Sequence, residues 1–600
     1  NGVGFYVDGV YFARAAATSL DFIDINQIEV LRGPQGTLFG KNTTAGAFNI
    51  TSKKPTNNFT GSIEQSFGNY AFSQTRGTVS GPIISNKLAF RFSFSGTNRE
   101  GTIKNVRNDS KTNTLNNLGF RGQILFTPKE NLSITLIGDY TRQRPDGYAL
   151  VYAGTAPTLR PQYRQFESII SDLNYDLPSI NPFDRIIDHD TKWKSNQDMG
   201  GISLNIENKL KRGSLNSITA WRTWKWDPSN DRDFTGLQAL AKSQAPSIHH
   251  QFSQEIRYNG EISKKLDIVV GVFAFYQKLD AIGAHVEESG RDQWRFVQNS
   301  QSPLWQTPGL LDGYGIRTMP SFRNFSSALY FQLDWKISNK FVIYPGIRLN
   351  YDQKSVDFKR ETYGGLQTDD PNLLKLKNSV YSNQSFSANI DDWNVSGQLT
   401  FNYKIHNRIR IYSNLSVGFK PVGLNLGGLP TENGLPMVEL AVVKPERVHH
   451  YELGVKSEPN KQSTLNLTFF NTDVYNYQTN VNSQELGVNR GYLSNAKQVR
   501  VFGAELEFSY SILKHLRFNT SLSYTDGKYV SFENAPVPLE EAGGAQNYKD
   551  ISGQVLPGIS KWASSAGIEA FTNLKSKKFP VEFFIGFDSF YRSTFSSNPT

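Results

Sequence analysis

The stretch EVLRGPQGTLFGKNT, residues 29–43, is where residue types and spacing come nearest to a ligand-binding loop. A phosphate-binding loop places Gly, four residues, then Gly-Lys-Ser/Thr, so that successive backbone N–H groups wrap the phosphate oxygens. Here Gly40-Lys41 is followed by Asn42, and the position that needs the first glycine holds Gln35. Gly33, Gly36 and Gly40 also miss the dinucleotide spacing. The glycines instead predict a tight turn, because glycine permits positive φ and close backbone approach. No G-x-S-x-G or H-E-x-x-H pattern occurs, and there is no cysteine to act as nucleophile or thiolate ligand. His249-His250 and His449-His450 look metal-like, yet neighbours on a strand point to opposite faces, so neither pair shares a ligand role. No catalytic residue, metal site or bound cofactor is expected.

The elements around this stretch are strands with a period of two. In Lys87–Ser95, Leu88, Phe90, Phe92 and Phe94 share one face and Ala89, Arg91, Ser93 and Ser95 the other. Leu329, Phe331, Leu333 and Trp335 likewise oppose Tyr330, Gln332 and Asp334. Leu516, Phe518, Leu522 and Tyr524 oppose Arg517, Asn519, Ser521 and Ser523. Such alternation marks strands with one apolar and one polar face. About ten residues, tilted, is what crosses a bilayer as a strand. The pattern predicts about 19 such strands, the first near residue 61 and the last near residue 579.

The connections alternate as well. Short turns such as GPIISNK, TPKEN, ISNK and KIHN take turns with long polar loops, notably 143–197, 279–323, 354–391, 418–446 and 526–558. Short turns on one side and long loops on the other are the layout of an outer-membrane barrel. Tyr140, Trp335, Tyr351, Tyr412 and Phe419 near strand ends fit interfacial aromatic girdles. No run of 18 apolar residues marks a transmembrane helix. The formal charge of +10 is spread along the chain rather than blocked, which argues against nucleic acid as a partner.

GFYVDGVYFAR, then DFIDINQIEVLRGPQGTLFGKNTTAGAFNITSKKP, closely resemble the second half of the plug domain of TonB-dependent outer-membrane receptors. IYSNLSVGFKPVGLN, KPERVHHYELGVKSE and VRVFGAELEFSYS resemble barrel segments of the same family, in the family's order. The resemblance implies an all-β membrane protein, an antiparallel transmembrane barrel of about 22 strands when complete, with a lumenal plug. Residues 1–58 are then the C-terminal half of the plug and 59–600 the barrel. Both the resemblance and the strand count lead us to expect a piece of a longer protein, lacking the first half of the plug, its TonB box and signal peptide, and the last barrel strands.

The implied function is energised uptake of a scarce ligand, most often a ferric siderophore, at the outer membrane of a Gram-negative bacterium. The alternatives are an oligosaccharide or cobalamin-like ligand, or, in another class, a passive porin or adhesin barrel. The implied partners are TonB with the ExbB–ExbD complex, the ligand, and membrane lipid including lipopolysaccharide. Gly33, Gly36, Gly40 and Gly46 are expected in plug turns. By resemblance Arg32 meets Glu452 and Glu505 on the inner wall as a latch, and strand parity turns both glutamates inward. Loop residues expected to meet an iron chelate are Tyr148, Tyr152, Trp294, Trp305 and Tyr314 by stacking, and Arg323 and Lys420 by charge.

Overall fold

In the computed structural model the described residues are 2–14, 23–147, 149–432, 435–482, 491–513, 515–574 and 581–597. The described residues up to Ser52 contribute a four-stranded sheet: β1 (Val3–Val7), β2 (Val10–Tyr11), β3 (Ile25–Arg32) and β4 (Gly46–Ser52), in the order β2-β1-β4-β3. β1 and β4 are parallel and the outer pairings antiparallel. From Thr60 onward the chain is a closed barrel. Among the described residues it has nineteen long strands, from Thr60–Gly68 to Val581–Arg592, each antiparallel to the neighbours with which its register is defined. Two short strands, Leu240–Gln244 and His285–Ser289, extend the wall on the long-loop side.

Closure satisfies backbone hydrogen bonds strand to strand, which a lipid environment demands because it supplies no partners. The alternation then sorts the faces. Leu329, Phe331 and Trp335 are exposed on the outer face, while Tyr330 between them is 1% exposed. On the inner face Arg91, Ser93, Ser95 and Thr97 are buried although polar; Asp24 of the plug meets Arg91 and Ser93, and Gln74 of the wall donates to Thr97. Plug and wall share two small apolar cores. Val7, Val10, Phe12 and Ile50 pack on Ala220 and Ile218, and Tyr6, Tyr11 and Ala47 pack on Phe275 and Phe273.

Two girdle expectations need correction. Tyr412 turns into the lumen, where its hydroxyl lies 3.2 Å from Thr468 Oγ1, and Phe419 is 2% exposed at the base of a long loop. Strand parity turns Tyr412 inward, whereas Phe419 shares the outward parity of exposed Leu415 and Val417 and is buried all the same. Tyr140 and Trp335 are exposed as expected, and Tyr351 packs on Trp393 with ring centroids 5.0 Å apart.

The long loops are folded. Val297, Trp305, Leu310, Leu311, Tyr314, Ile316, Leu373, Val380 and Tyr381 build a core that ties the loop after Ala281 to the loop after Tyr363. Tyr314 donates its hydroxyl to the Tyr381 carbonyl at 2.8 Å, and Lys377 donates to the carbonyls of Gly364 and Leu366. Trp305 is 1% exposed at its centre. Trp305→Ala therefore removes about 3–5 kcal/mol from this loop core. The expected result in limited proteolysis of intact cells is faster cleavage between residues 281 and 315. The heat-modifiable gel mobility that reports the barrel should stay unchanged.

Candidate functional site: the plug against the wall

The turn that follows β3 explains why residues 29–43 are not a phosphate cradle. Its amides are used internally: Gln35 N–H donates to Thr43 O, Phe39 N–H to Gln35 O and Gly40 N–H to Gly36 O, at 2.9–3.1 Å. The Thr43 hydroxyl closes the turn on Gly40 O. Gly36 lies flat on the wall, and its carbonyl accepts the Ser396 hydroxyl at 3.0 Å. A Cβ there would lie 2.9 Å from Ser396 Cβ. Gly46 has φ +149°, and a Cβ would sit 2.3 Å from the Leu31 carbonyl oxygen. Gly33 and Gly40 also have positive φ, against His450 and the Arg348 guanidinium respectively.

Among the described residues four sets of ion pairs join plug to wall. Arg32 Nη1 lies 2.6 Å from Glu505 Oε2 and 2.8 Å from Glu507 Oε1. The two glutamates, two apart on one strand, present both carboxylates on the same face. Glu452 is not part of this contact. His450 fills the space beside Gly33, and its Nε2 lies 3.2 Å from Glu452 Oε2, so Glu507 takes the place expected of Glu452. One nitrogen of Arg32 serves both carboxylates, so the pairing is a bridge rather than a two-pronged fork.

The other three sets were not anticipated. Lys41 donates to Asp352 and Ser326 of the wall, with side-chain exposures of 10% for Lys41 and 0% for Asp352. Asp24 accepts from Arg91, with Nη2 to Oδ1 at 2.6 Å, and from Ser93 Oγ at 2.8 Å. Asp8 accepts from Arg121 and holds Ser52 N at 2.8 Å. Arg121 is linked in turn to Asp139, which Arg222 grips with both terminal nitrogens at 2.5 and 2.7 Å. The signal for the wall arginines was present in the sequence. Arg91 and Arg121 are isolated cations on the polar faces of LAFRFSFS and LGFRGQI.

Above the plug sheet, on the long-loop side, is a cavity of about 1100 Å³. Tyr11, Phe12, Arg14 and Asn42 of the plug line it with Trp224, Trp226 and Leu279 of the wall. The two tryptophan rings stack with centroids 5.8 Å apart at 20°. Arg14 Nε and Nη2 are buried with no hydrogen-bond partner among the described residues. Burial holds its guanidinium below the ordinary range, against the opposing pull of Tyr11. Lys354 lies within electrostatic reach of Lys41, Arg14 and Lys420, with Asp352 as the carboxylate among them. The arrangement can accept an anion with flat, apolar portions.

Most loop residues expected to meet a ligand are used elsewhere. Trp305 and Tyr314 are in the loop core, and Trp294 packs against it. Tyr152 stacks on Phe166 at 6.0 Å. Lys420 pairs with Glu446 at 3.1 Å. Arg323 sits between buried Phe322 and Asn324, so the strand turns it away from the lumen. Tyr148 lies outside the described residues. The histidine pairs split as strand parity requires: His249 is buried and 3.0 Å from Gln277 Oε1, while His250 stacks outside on Trp221. Among the described residues no group of three His, Asp or Glu is placed to hold a metal ion.

The burial of the ion pairs orders their strength. Lys41→Met leaves the buried Asp352 without its ion-pair partner, with only the Ser326 hydrogen bond and the more distant Lys354, a loss of about 3 kcal/mol. Arg32→Ala breaks a pair that is 57% exposed on the arginine side, worth about 1 kcal/mol or less. Urea unfolding of the solubilised protein, followed by gel mobility, should rank them in that order. Asp352→Asn added to Lys41→Met should recover most of the loss.

The family model "TonB dependent receptor-like, beta-barrel" matches residues 138–599, and "TonB-dependent Receptor Plug Domain" matches residues 1–47. The pesticin receptor of Yersinia enterocolitica is 24% identical over 510 residues, covering 84% of this chain and 63% of that protein. The catecholate siderophore receptor Fiu of Escherichia coli K12 is 23% identical over 507 residues, 78% of this chain and 61% of that one. The chain thus spans about three-fifths of the length of these relatives. The crystal structure of the ferric yersiniabactin uptake receptor FyuA from Yersinia pestis superposes with a TM-score of 0.72 at 18% identity, covering 96% of this chain and 75% of that one. Plug, wall and matched segments agree throughout, and the chain belongs to the TonB-dependent receptor family of the Gram-negative outer membrane.

Proposed function

We propose that this chain carries the plug and wall of an energised receptor that takes up an anionic iron chelate of the siderophore class. The observation behind the reading is Arg14, whose Nε and Nη2 are buried without a hydrogen-bond partner among the described residues and whose guanidinium lies 5.5 Å from the Phe322 ring, beside an aromatic-lined cavity on the long-loop side of the plug. Buried donors left without acceptors are costly, and an incoming anion offsets that cost. The stacked Trp224–Trp226 pair offers an apolar face to the flat part of a chelate. Fiu is named a catecholate siderophore receptor and FyuA a ferric yersiniabactin uptake receptor, which favours a ferric chelate over an oligosaccharide or a cobalamin-like molecule. A lumen filled by a sheet with four sets of wall pairings does not suit a passive porin.

Uptake past such a plug needs work, and the outer membrane has neither ATP nor an ion gradient of its own. TonB with ExbB–ExbD is the partner that this reading requires. Membrane lipid, including lipopolysaccharide, surrounds the wall.

The full-length receptor should restore growth under iron restriction to a host lacking its own receptors, when supplied with one ferric chelate. Arg14→Gln should weaken binding of that chelate about tenfold or more, read as radiolabelled iron bound to energy-depleted cells. Rescue by a sugar and by no chelate would refute the siderophore reading. Arg32→Ala should raise passive permeability to large antibiotics, measured as a lower inhibitory concentration. Unchanged permeability would remove Arg32 from any latch.

A further inference from the structure

Three arginines meet where the long loops pack on one another, and none of the three lines the cavity above the plug. The loop after Gln143 carries a single helical turn, Gln162–Arg164, and a helix, Phe166–Asp172. The loop after Ala281 carries the short helix Gln293–Val297. Arg295 of that helix is 2% exposed and reaches Asp172, with Nε at 2.9 Å and Nη2 at 2.7 Å from the same carboxylate oxygen. Its Nη1 is buried and has no hydrogen-bond partner among the described residues. Arg164 lies within electrostatic reach of both Arg295 and Arg160.

The backbone that presents Arg160 and Arg164 is held firmly. The Gln165 amide accepts from Thr158 N–H at 3.1 Å and donates to the carbonyls of Thr158 and Arg160 at 2.9 and 2.8 Å. A third loop, the one after Ser531, closes on the same segment. Leu159 N–H donates to Glu540 O at 3.0 Å, and a Cβ on Gly543 would lie 2.7 Å from Arg160 Cα. Arg160 and Arg164 are half-buried, and burial holds both guanidiniums below their ordinary range, with Arg160 and Arg295 adding repulsion at Arg164.

Charge does not balance here. Three guanidiniums face the one carboxylate of Asp172, which leaves two positive charges over. Among the described residues no carboxylate lies within ion-pair distance of Arg160 or Arg164, and Glu541 of the third loop is held by Lys549. Like charges drawn partly out of water repel one another unless an anion joins them. The planar donors of arginine suit oxyanions, which can accept two parallel N–H bonds from each. An oxyanion with two negative charges cancels the remainder.

We infer that Arg160, Arg164 and Arg295 form a binding site for an oxyanion of charge two, inorganic phosphate or sulfate, that clamps the three loops together. The half-buried Arg160 and Arg164 grip the anion, and the enclosed Arg295 adds its field. The site is separate from Arg14 and does not depend on the identity of the transported ligand.

Limited proteolysis of the detergent-solubilised full-length receptor, with no iron chelate present, tests it. Cleavage between residues 149 and 194 is followed in chloride, in inorganic phosphate and in sulfate at matched ionic strength. Either oxyanion, at about ten times its Kd, should slow this cleavage about tenfold in the wild type. Cleavage in the loop after Tyr363 should not respond. Arg164→Gln should abolish the effect and Arg164→Lys should keep part of it. In chloride Arg164→Gln should be cut no faster than the wild type; faster cutting would make Arg164 a structural contact and overturn the proposal. Equal slowing in wild type and Arg164→Gln overturns it as a general salt effect. Protection by a ferric chelate but by neither inorganic anion also overturns it, placing the cluster on the uptake route. A response to one oxyanion alone upholds the site and names its occupant. Heat-modifiable mobility verifies that each variant folds.

Discussion

The pairing of charges between plug and wall is the interaction on which the rest of this structure depends. A closed wall of nineteen strands satisfies its own backbone but encloses a wide, polar lumen. Its inward arginines and carboxylates are costly to bury unless something supplies the opposite charge. The plug supplies it at Asp8, Asp24, Arg32 and Lys41. The turns that carry these side chains must lie close to the wall, and Gly36 shows how close, with Ser396 donating straight to its carbonyl. Gly33, Gly36 and Gly40 thus serve the charges, by letting backbone reach the wall where a side chain would hold it away, while Gly46, the first residue of a plug strand rather than part of a turn, packs on the Leu31 carbonyl inside the plug sheet.

The pairings are not equivalent. Lys41–Asp352 is nearly free of solvent, whereas Arg32 keeps more than half of its side chain exposed beside Glu505 and Glu507. In an exposed site, water competes for both partners and the net gain is small. A plug held this way has firm contacts and one readily exchanged contact. The long loops add a second rigid layer. Their core uses Trp305 and Tyr314 for packing, and the cavity above the plug is lined instead by Arg14 and the Trp224–Trp226 pair.

Both faces of the wall are set by one parity rule with opposite chemical results. Inward, a basic residue meets a plug carboxylate, as Arg121 meets Asp8. Outward, the same residue types at Lys278 and Arg323 meet no carboxylate beyond Asp280 among the described residues. Arg323 shows how a plausible charge in a loop-adjacent stretch is misassigned when its neighbours are not counted. Phe322 and Asn324 are buried, so Arg323 cannot be.

The sequence by itself determined the strand type, the sorting of loops into short and long, the two faces of the wall and the plug motif. Each of these is local, since period-two alternation and turn length are written within a dozen residues. It also yielded Arg32 with Glu505, because parity turned Glu505 inward and the family motif supplied the arginine. Only the tertiary structure decided that Glu507 rather than Glu452 shares that arginine, and that Lys41 is a buried anchor. It alone showed Trp305 and Tyr314 to be loop core. Lys41 and Asp352 are 311 residues apart, and nothing near either one names the other. Their meeting depends on where each strand's register stops around the closed wall, a property of the whole ring rather than of any segment in it.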